Sequence, residues 1–430
     1  MNASAPHNDK HDNKYDAVIL GGALTGTVLY IALAEIFAKQ KKSLIILERE
    51  SRPIPDNRML SLGYAGGSLL RKFGLWDEIE KYVCPVTSLE INYTGKDKSS
   101  FVLEADDLGL PALGWTIPHQ KLQNVFWDKV NELQQRHSGL DMAVPFTMQS
   151  IDIGNDVASI KGESRNVKSD LIFAATGGAP LPLKQGSINY HHYVDADTGS
   201  GGGKNSEDAR GAVFAVASVR LKNYKQSRGY WFGGSSSDST AVALTPSAST
   251  LNQQDDATGV YVAIVSLPRS SHSSHLRDDK FSQEQFAEII MNCTNIRDLE
   301  VAEDPMVYKA SSYIALDRVF GPLVLIGNAA HSVAPLGGQN YNLTLWTIDK
   351  LRDKIIQHLD AGRDFTNREF LVDFVSETDI EIRRGQGIVH HLDNLLSGEG
   401  VISDKLPEGI LSRETLINAC MQTLDHLPPL

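Results

Sequence analysis

The chain has 430 residues, 41% hydrophobic and 22% charged, with 35 glycines and 17 prolines. Those are the proportions of a globular protein, not of a disordered, collagen-like or coiled-coil chain. Its 41 Lys and Arg stand against 53 Asp and Glu, a net charge of −12 without basic runs. That excludes the electrostatic footprint of nucleic-acid binding and of a polybasic membrane anchor. At roughly 100–200 residues per domain the length predicts two or three domains. Cys84, Cys293 and Cys420 lie far apart and form no CxxC, which argues against a disulfide framework or a zinc site and fits a reducing compartment. The polar opening, residues 1–14, lacks the apolar core of a secretory signal and reads as a disordered leader.

The uncharged stretch Ala17–Ala34 is long enough to cross a bilayer, but its punctuation argues otherwise. Strand-like Tyr15–Leu20 is followed by the turn Gly21-Gly22-Ala23-Leu24-Thr25-Gly26 and an amphipathic helix. This is the spacing of a dinucleotide fingerprint. Gly21 allows the tight turn, residue 23 is where backbone approaches pyrophosphate, and Gly26 lets helix and strand pack closely. Ala23 replaces the middle glycine and adds a methyl there. A second apolar strand, Ser43–Leu47, ends in Glu48, placed to accept hydrogen bonds from an adenosine ribose.

Leu171–Pro180 (LIFAATGGAP) is a buried strand closed by a glycine-rich turn. Gly321–Leu343 (GPLVLIGNAAHSVAPLGGQNYNL) runs from an apolar strand through Gly327-Asn328 and small residues into a helix predicted from about Asn342. Small residues and a helix start give a flat, electron-rich ring close backbone contact and a positive helix end.

With these residues in order, the chain resembles the aromatic-ring hydroxylases of the p-hydroxybenzoate hydroxylase type, in particular the ubiquinone-biosynthesis hydroxylase family. The landmarks run from about Tyr15 to Arg384: the glycine turn, Asp56-Asn57-Arg58, Leu69–Glu78, Gly114–Trp127, Leu171–Gly178 and Ile326–Leu343. The resemblance implies an α/β fold: a discontinuous Rossmann-like FAD-binding domain, a mostly antiparallel β-sheet substrate domain and a C-terminal helical segment. The expected divisions are 15–85, 113–185 and 309–360 for the cofactor, 86–112 and 186–308 for the substrate, and 361–430 for the helical segment. Strand-like Ala212–Val219, Ala241–Leu244 and Val260–Ser266 belong to the second of these.

The resemblance also implies the site. Gly21, Gly22, Ala23, Leu24, Thr25, Gly26 and Glu48 would hold the ADP half of FAD. Arg58 would lie near the pyrophosphate, and Gln120 falls where the family places a cofactor-touching Arg or Gln. Asn328 stands at the acidic position of a Gly-Asp motif that meets the ribityl and pyrophosphate region. Pro335, Gly338, Gln339 and Asn340 match the segment beside the isoalloxazine ring. Departures are Thr176 for an aspartate, and Asn340 and Thr344 for glycines, with Asn340 expected to keep a left-handed backbone. His331 reads equally as a residue facing ring or substrate and as a structural histidine. The pairs His191-His192 and His390-His391, and His272 with His275, read as solvated surface.

The implied activity is NAD(P)H-dependent reduction of FAD, oxygen addition at flavin C4a and hydroxylation of a phenol, prenylated in ubiquinone synthesis. No catalytic side chain is identified and no metal is expected. Expected partners are the small phenol and a ubiquinone-synthesis protein complex. The setting is cytoplasmic, with peripheral contact at the inner membrane face and no span. Two rival readings stay open: a catalytically silent FAD-binding scaffold, and a flavin reductase or dehydrogenase.

Overall fold

The strands Ala17–Leu20, Leu44–Leu47, Ile172–Ala174 and Leu323–Leu325 are unbroken apolar runs, buried at every residue. Strands of that composition need cover on both faces, which a parallel sheet flanked by helices supplies. In a computed structural model they form the middle of a six-stranded sheet. It is ordered Val319–Phe320, Leu323–Leu325, Ile172–Ala174, Ala17–Leu20, Leu44–Leu47, Leu140–Ala143, parallel except at the Val319–Phe320 edge. The structure describes residues 13–56, 58–93, 99–154, 157–192, 212–222, 227–233, 240–247, 258–267, 281–310, 312–333 and 339–397.

The chain leaves Ala17–Leu20 for Leu44–Leu47 on one side and later places Ile172–Ala174 on the other. That reversal opens a crevice at the carboxyl ends of the strands, where open α/β sheets bind their ligands. The uncharged Ala17–Ala34 stretch is strand, turn and helix: Ala17–Leu20, then Leu24–Lys39. No helix among the described residues is long and apolar enough to cross a membrane.

One boundary differs from the sequence expectation. Tyr15–Leu20 is not one strand, because Asp16 turns aside to accept hydrogen bonds from the Ser43 N–H and hydroxyl, both at 2.8 Å. Asn13–Tyr15 consequently pairs with Asn166–Ser169 in a separate four-stranded sheet.

A larger sheet is assembled from distant segments. It runs Leu299–Val301, Ala212–Lys222, Thr258–Leu267, Ala241–Pro246, Arg228–Gly233, Ser88–Tyr93, Ser99–Glu104, with Met306–Ala310 also on Ala212–Lys222. Only the Arg228–Gly233 pairing with Ser88–Tyr93 is parallel. One face packs Tyr230, Phe232, Val242, Leu244, Tyr261 and Val265 beneath the helix Gln283–Thr294. That helix is not legible as a strand-rich segment would be; a Ser282–Gln285 capping box starts it. The long helices Gln339–Asp360 and Arg368–Ser397 complete the described chain. His191-His192 lies exposed on the short strand Tyr190–His192. Cys420, His272 and His275 lie outside the described residues.

Candidate functional site

Three glycine-containing turns meet at the crevice: Gly21–Gly26, the turn that follows Ala175, and Gly327–Ala329. Gly21 has φ +97°, and a Cβ there would come within 2.7 Å of the Ala175 carbonyl oxygen at the end of the neighbouring strand. A Cβ on Gly26 would collide with the Gly21 carbonyl, so the helix Leu24–Lys39 sits on its own strand only because both residues lack side chains. The third turn, Gly327–Ala329, arrives beside the same helix: a Cβ on Gly327 would lie 2.9 Å from Thr25 Cγ2.

Ala23 caps the helix in an extended conformation, φ −76°, with no side-chain cap. Its backbone therefore does not require glycine, and its exposed methyl occupies the cleft mouth. Thr27 N–H is the first to bond back, to the Ala23 carbonyl at 3.0 Å, which leaves the N–H groups of Leu24, Thr25 and Gly26 for a ligand. Glu48 faces this turn. Its Oε2 accepts from Gly22 N–H at 2.5 Å and its Oε1 from Glu50 N–H at 2.8 Å.

A cavity of about 260 Å³ runs from Gly22, Ala23 and Glu48 to Asp56, Arg58 and His119. Its Arg58 wall is organised by Asp56, whose carboxylate receives Arg58 Nε at 2.9 Å and lies 3.3 Å from His119 Nδ1. Burial works against ionisation of Asp56, but the Arg58 hydrogen bonds and the neighbouring imidazole outweigh it and hold the carboxyl below its usual range. Burial likewise lowers His119, against the pull of Asp56. Gln120 supports the wall from behind: Oε1 accepts from Asp56 N–H at 2.8 Å and Nε2 donates to Asn124 at 2.9 Å. The sequence reading missed His119 and Trp127. Trp127 Nε1 donates to the Gly22 carbonyl at 2.8 Å and ties the helix His119–Arg136 to the glycine turn.

At the other end, Asn328 is exposed on the Gly327–Ala329 turn. Tyr313 OH donates to the Asn328 carbonyl at 2.7 Å and Tyr190 OH to the Ala329 carbonyl at 3.1 Å. Burial pushes the Tyr313 hydroxyl up to about 12, so it remains a donor. Gln339 is exposed and Asn340 half-buried at the start of the helix Gln339–Asp360, three residues earlier than predicted from Asn342. Pro335 and Gly338 lie outside the described residues.

Asn340 does not serve by backbone shape. Positive φ outside glycine occurs, among the described residues, at Lys41 and Asn295 alone. Instead its side chain works: Nδ2 donates to Asn328 Oδ1 at 2.8 Å. Thr344, buried, is accommodated by the bareness of Gly327, whose added Cβ would lie 3.2 Å from its Cγ2. His331 is fully buried and forms no hydrogen bond among the described residues. Burial drives its pKa down to about 3, so the ring is neutral.

No protein-family model matches the sequence. The chain is 24% identical over 361 residues to the 3-demethoxyubiquinol 3-hydroxylase of Escherichia coli K12, covering 81% of each. It is 22% identical over 391 residues to the mitochondrial ubiquinone biosynthesis monooxygenase COQ6 of Caenorhabditis elegans, covering 81% of this chain and 80% of that one. Among solved structures, PqsL of Pseudomonas aeruginosa, titled a probable FAD-dependent monooxygenase, superposes with a TM-score of 0.67 at 15% identity, over 95% of this chain and all (100%) of that one. In sequence the chain is similar to hydroxylases of ubiquinone biosynthesis, and in fold to FAD-dependent monooxygenases.

Proposed function

We propose that the protein is a flavin-dependent monooxygenase that hydroxylates a phenol bearing an apolar tail, with FAD across the crevice and NAD(P)H as reductant. The observation that carries this is one cleft bordered by the Gly22-Ala23 turn that leads into the free helix N–H groups, by the Glu48 carboxylate and by the Arg58 wall. Those groups fit a dinucleotide. The N–H groups of Leu24, Thr25 and Gly26 suit a diphosphate, and the lone pairs of Glu48 not used by Gly22 and Glu50 suit ribose hydroxyls. When bound, FAD would supply electron transfer and activation of oxygen.

The large sheet supports the substrate class. The face turned away from the helix Gln283–Thr294 carries Val216, Trp231, Ala243, Val262 and Ile264 at paired positions. Tyr308, opposite Phe214 on the same face, lies over Arg58 with the guanidinium 5.9 Å from its ring. An apolar surface is thus turned toward the cofactor cleft, where it would seat a prenylated ring and keep water from the reacting carbon. The same reading divides the chain into cofactor segments 15–85, 113–185 and 309–360, substrate segments 86–112 and 186–308, and a C-terminal helical segment. A substrate with a prenyl tail would bring the protein into peripheral contact with a membrane or a ubiquinone-synthesis complex.

One observation favours the silent-scaffold reading. Thr176 Oγ1 turns back to the Ala179 carbonyl at 3.5 Å, so its turn offers no carboxylate to the cleft. Oxidation of NAD(P)H by the flavin-loaded protein, with and without a phenol under ¹⁸O₂, decides among the readings. Phenol-dependent oxidation with one ¹⁸O in the product is the expected result. Inertness despite bound FAD favours the scaffold, and phenol-independent turnover with an added acceptor favours a reductase.

A further inference from the structure

The charges around the cleft do not balance. Glu48, Glu50 and Asp56 line the cavity against Arg52 and Arg58, three carboxylates to two guanidinium groups. Arg49 bonds Glu50 at 2.9 Å, but from an exposed position where solvent screens the pair. A dinucleotide would add a negative charge on each of its phosphates. Helix N–H groups answer with partial charges only. The loaded cleft is therefore left anionic unless one of its own groups gains a proton.

His119 is placed to gain it. Its ring lines the same cavity, and its Nδ1 lies 3.3 Å from Asp56 Oδ2. That nitrogen is buried without a hydrogen bond, which in a folded protein calls for a reason. Backbone bonds fix the ring beside the wall: His119 N–H donates to the Arg58 carbonyl at 2.8 Å, and Asp56 N–H to Gln120 Oε1 at 2.8 Å. The charged groups facing the imidazole are Asp56 and Arg58. Tyr308 lies beyond Arg58 with its hydroxyl kept neutral by burial. Lys121, on the same helix, turns instead to the Tyr82 ring at 5.5 Å. In the protein alone, burial and the Arg58 charge outweigh the pull of Asp56 and hold His119 neutral. A phosphate beside Arg58 cancels that repulsion and adds an attraction of its own.

We propose that His119 is a counter-charge held in reserve: when a dinucleotide diphosphate enters beside Arg58, the imidazole takes one proton from solvent and the resulting cation pairs with Asp56. The inference rests on the cofactor reading of the same cleft. As an imidazolium, His119 has N–H donors at both ring nitrogens, so the buried Nδ1 acquires Asp56 as its acceptor. Binding that takes up a proton is strongest at low pH. It weakens as pH rises through the window between the titrations of the free and the loaded protein.

The test is calorimetric titration of the flavin-stripped protein with FAD at about pH 7 in phosphate and in Tris, buffers whose ionisation heats differ widely. Neither the flavin nor the diphosphate diester titrates near neutrality, so a buffer-dependent heat counts protons taken up by the protein. The expected result is uptake of a large part of one proton per FAD. Kd should also rise roughly fivefold or more between about pH 5.5 and 8.5. His119→Gln should abolish the uptake and flatten the pH profile near the parent's high-pH affinity. FAD binding by the parent without proton uptake overturns the proposal, as does an uptake that survives in His119→Gln. Should that variant fail to fold by circular dichroism, the parent's buffer dependence and pH profile decide alone. A parent that binds no FAD at any pH refutes the cofactor reading, and this inference with it.

Discussion

The two ends of the cleft solve the same problem by different means. At the Gly21–Gly26 end the ligand-facing groups are backbone N–H donors, and what matters is the absence of side chains: a Cβ on Gly26 would strike the Gly21 carbonyl. At the Gly327–Ala329 end the backbone turn is clasped by side chains, Tyr313 and Tyr190 on its carbonyls and Asn340 on the Asn328 amide. A site built on bare backbone tolerates almost no substitution within it. A site built on side chains can drift, provided each change is matched by a neighbour. Ala23 is tolerated at the backbone end because its φ of −76° does not require glycine, and two departures at the other end follow that division. Thr344 is tolerated because Gly327 is bare, and Asn340 because Asn328 receives its amide.

The comparison is broken most severely at Gly26. Gly26→Ala should destabilise the fold by on the order of 3 kcal/mol, since neither the strand nor the helix can withdraw without opening the core. Thermal unfolding checks it, and a near-parental Tm would show that the helix is not held against its turn as described. The next effect lies at the other end and depends on pH. The folded pKa of His331, about 3, lies below its ordinary 6.5, so the unfolded chain takes up a proton that the folded chain refuses. The contribution is complete above pH 6.5 and is lost as pH falls toward 3. The slope approaches about 1.4 kcal/mol per pH unit. Between pH 6.5 and 4.5, His331→Gln should lose less stability in urea than the parent by roughly 2–3 kcal/mol. Parallel pH profiles for the two proteins would mean that the ring is not buried neutral.

Much of the nucleotide end was legible in the sequence because backbone chemistry leaves a residue signature. Gly21 and Gly26 at their spacing, with Glu48 closing the next strand, fix the turn whatever the rest of the chain does. The side-chain end was less legible. Tyr190 and Tyr313 meet through a three-stranded sheet of Tyr190–His192, Tyr313–Ala315 and His331–Ser332, Asn340 arrives on the helix Gln339–Asp360, and no local pattern announces a clasp of segments so far apart in the chain. Nor did periodicity reveal the Asp56–His119 contact or the Trp127 bond to Gly22, which depend on where the helix His119–Arg136 docks. The expectation of a left-handed Asn340 failed for a related reason: the helix begins at Gln339 and takes the residue with it.

Smaller effects sharpen the contrast. Glu48→Ala removes the acceptor for Gly22 N–H as well as the groups offered to a ribose, and should weaken FAD by roughly 2 kcal/mol, near thirtyfold, while the protein stays folded. Flavin titration measures it, and unchanged affinity would remove Glu48 from the site. Tyr313→Phe deletes one hydroxyl from the clasp and should cost about 1 kcal/mol in FAD affinity, a few-fold. Tyr190→Phe, at the longer bond, should cost less. An effect of Tyr190→Phe exceeding that of Tyr313→Phe would place the important contact at Ala329 rather than Asn328.

The most direct test of the account is titration of the purified, flavin-stripped protein with FAD, following flavin fluorescence and Tm together. The account predicts saturable binding of one FAD per chain and a Tm that rises with FAD concentration as mass action requires. The rise should be abolished in Gly26→Ala and reduced in Glu48→Ala. A parent protein whose Tm and fluorescence are indifferent to saturating FAD would contradict it, whatever the fold resembles.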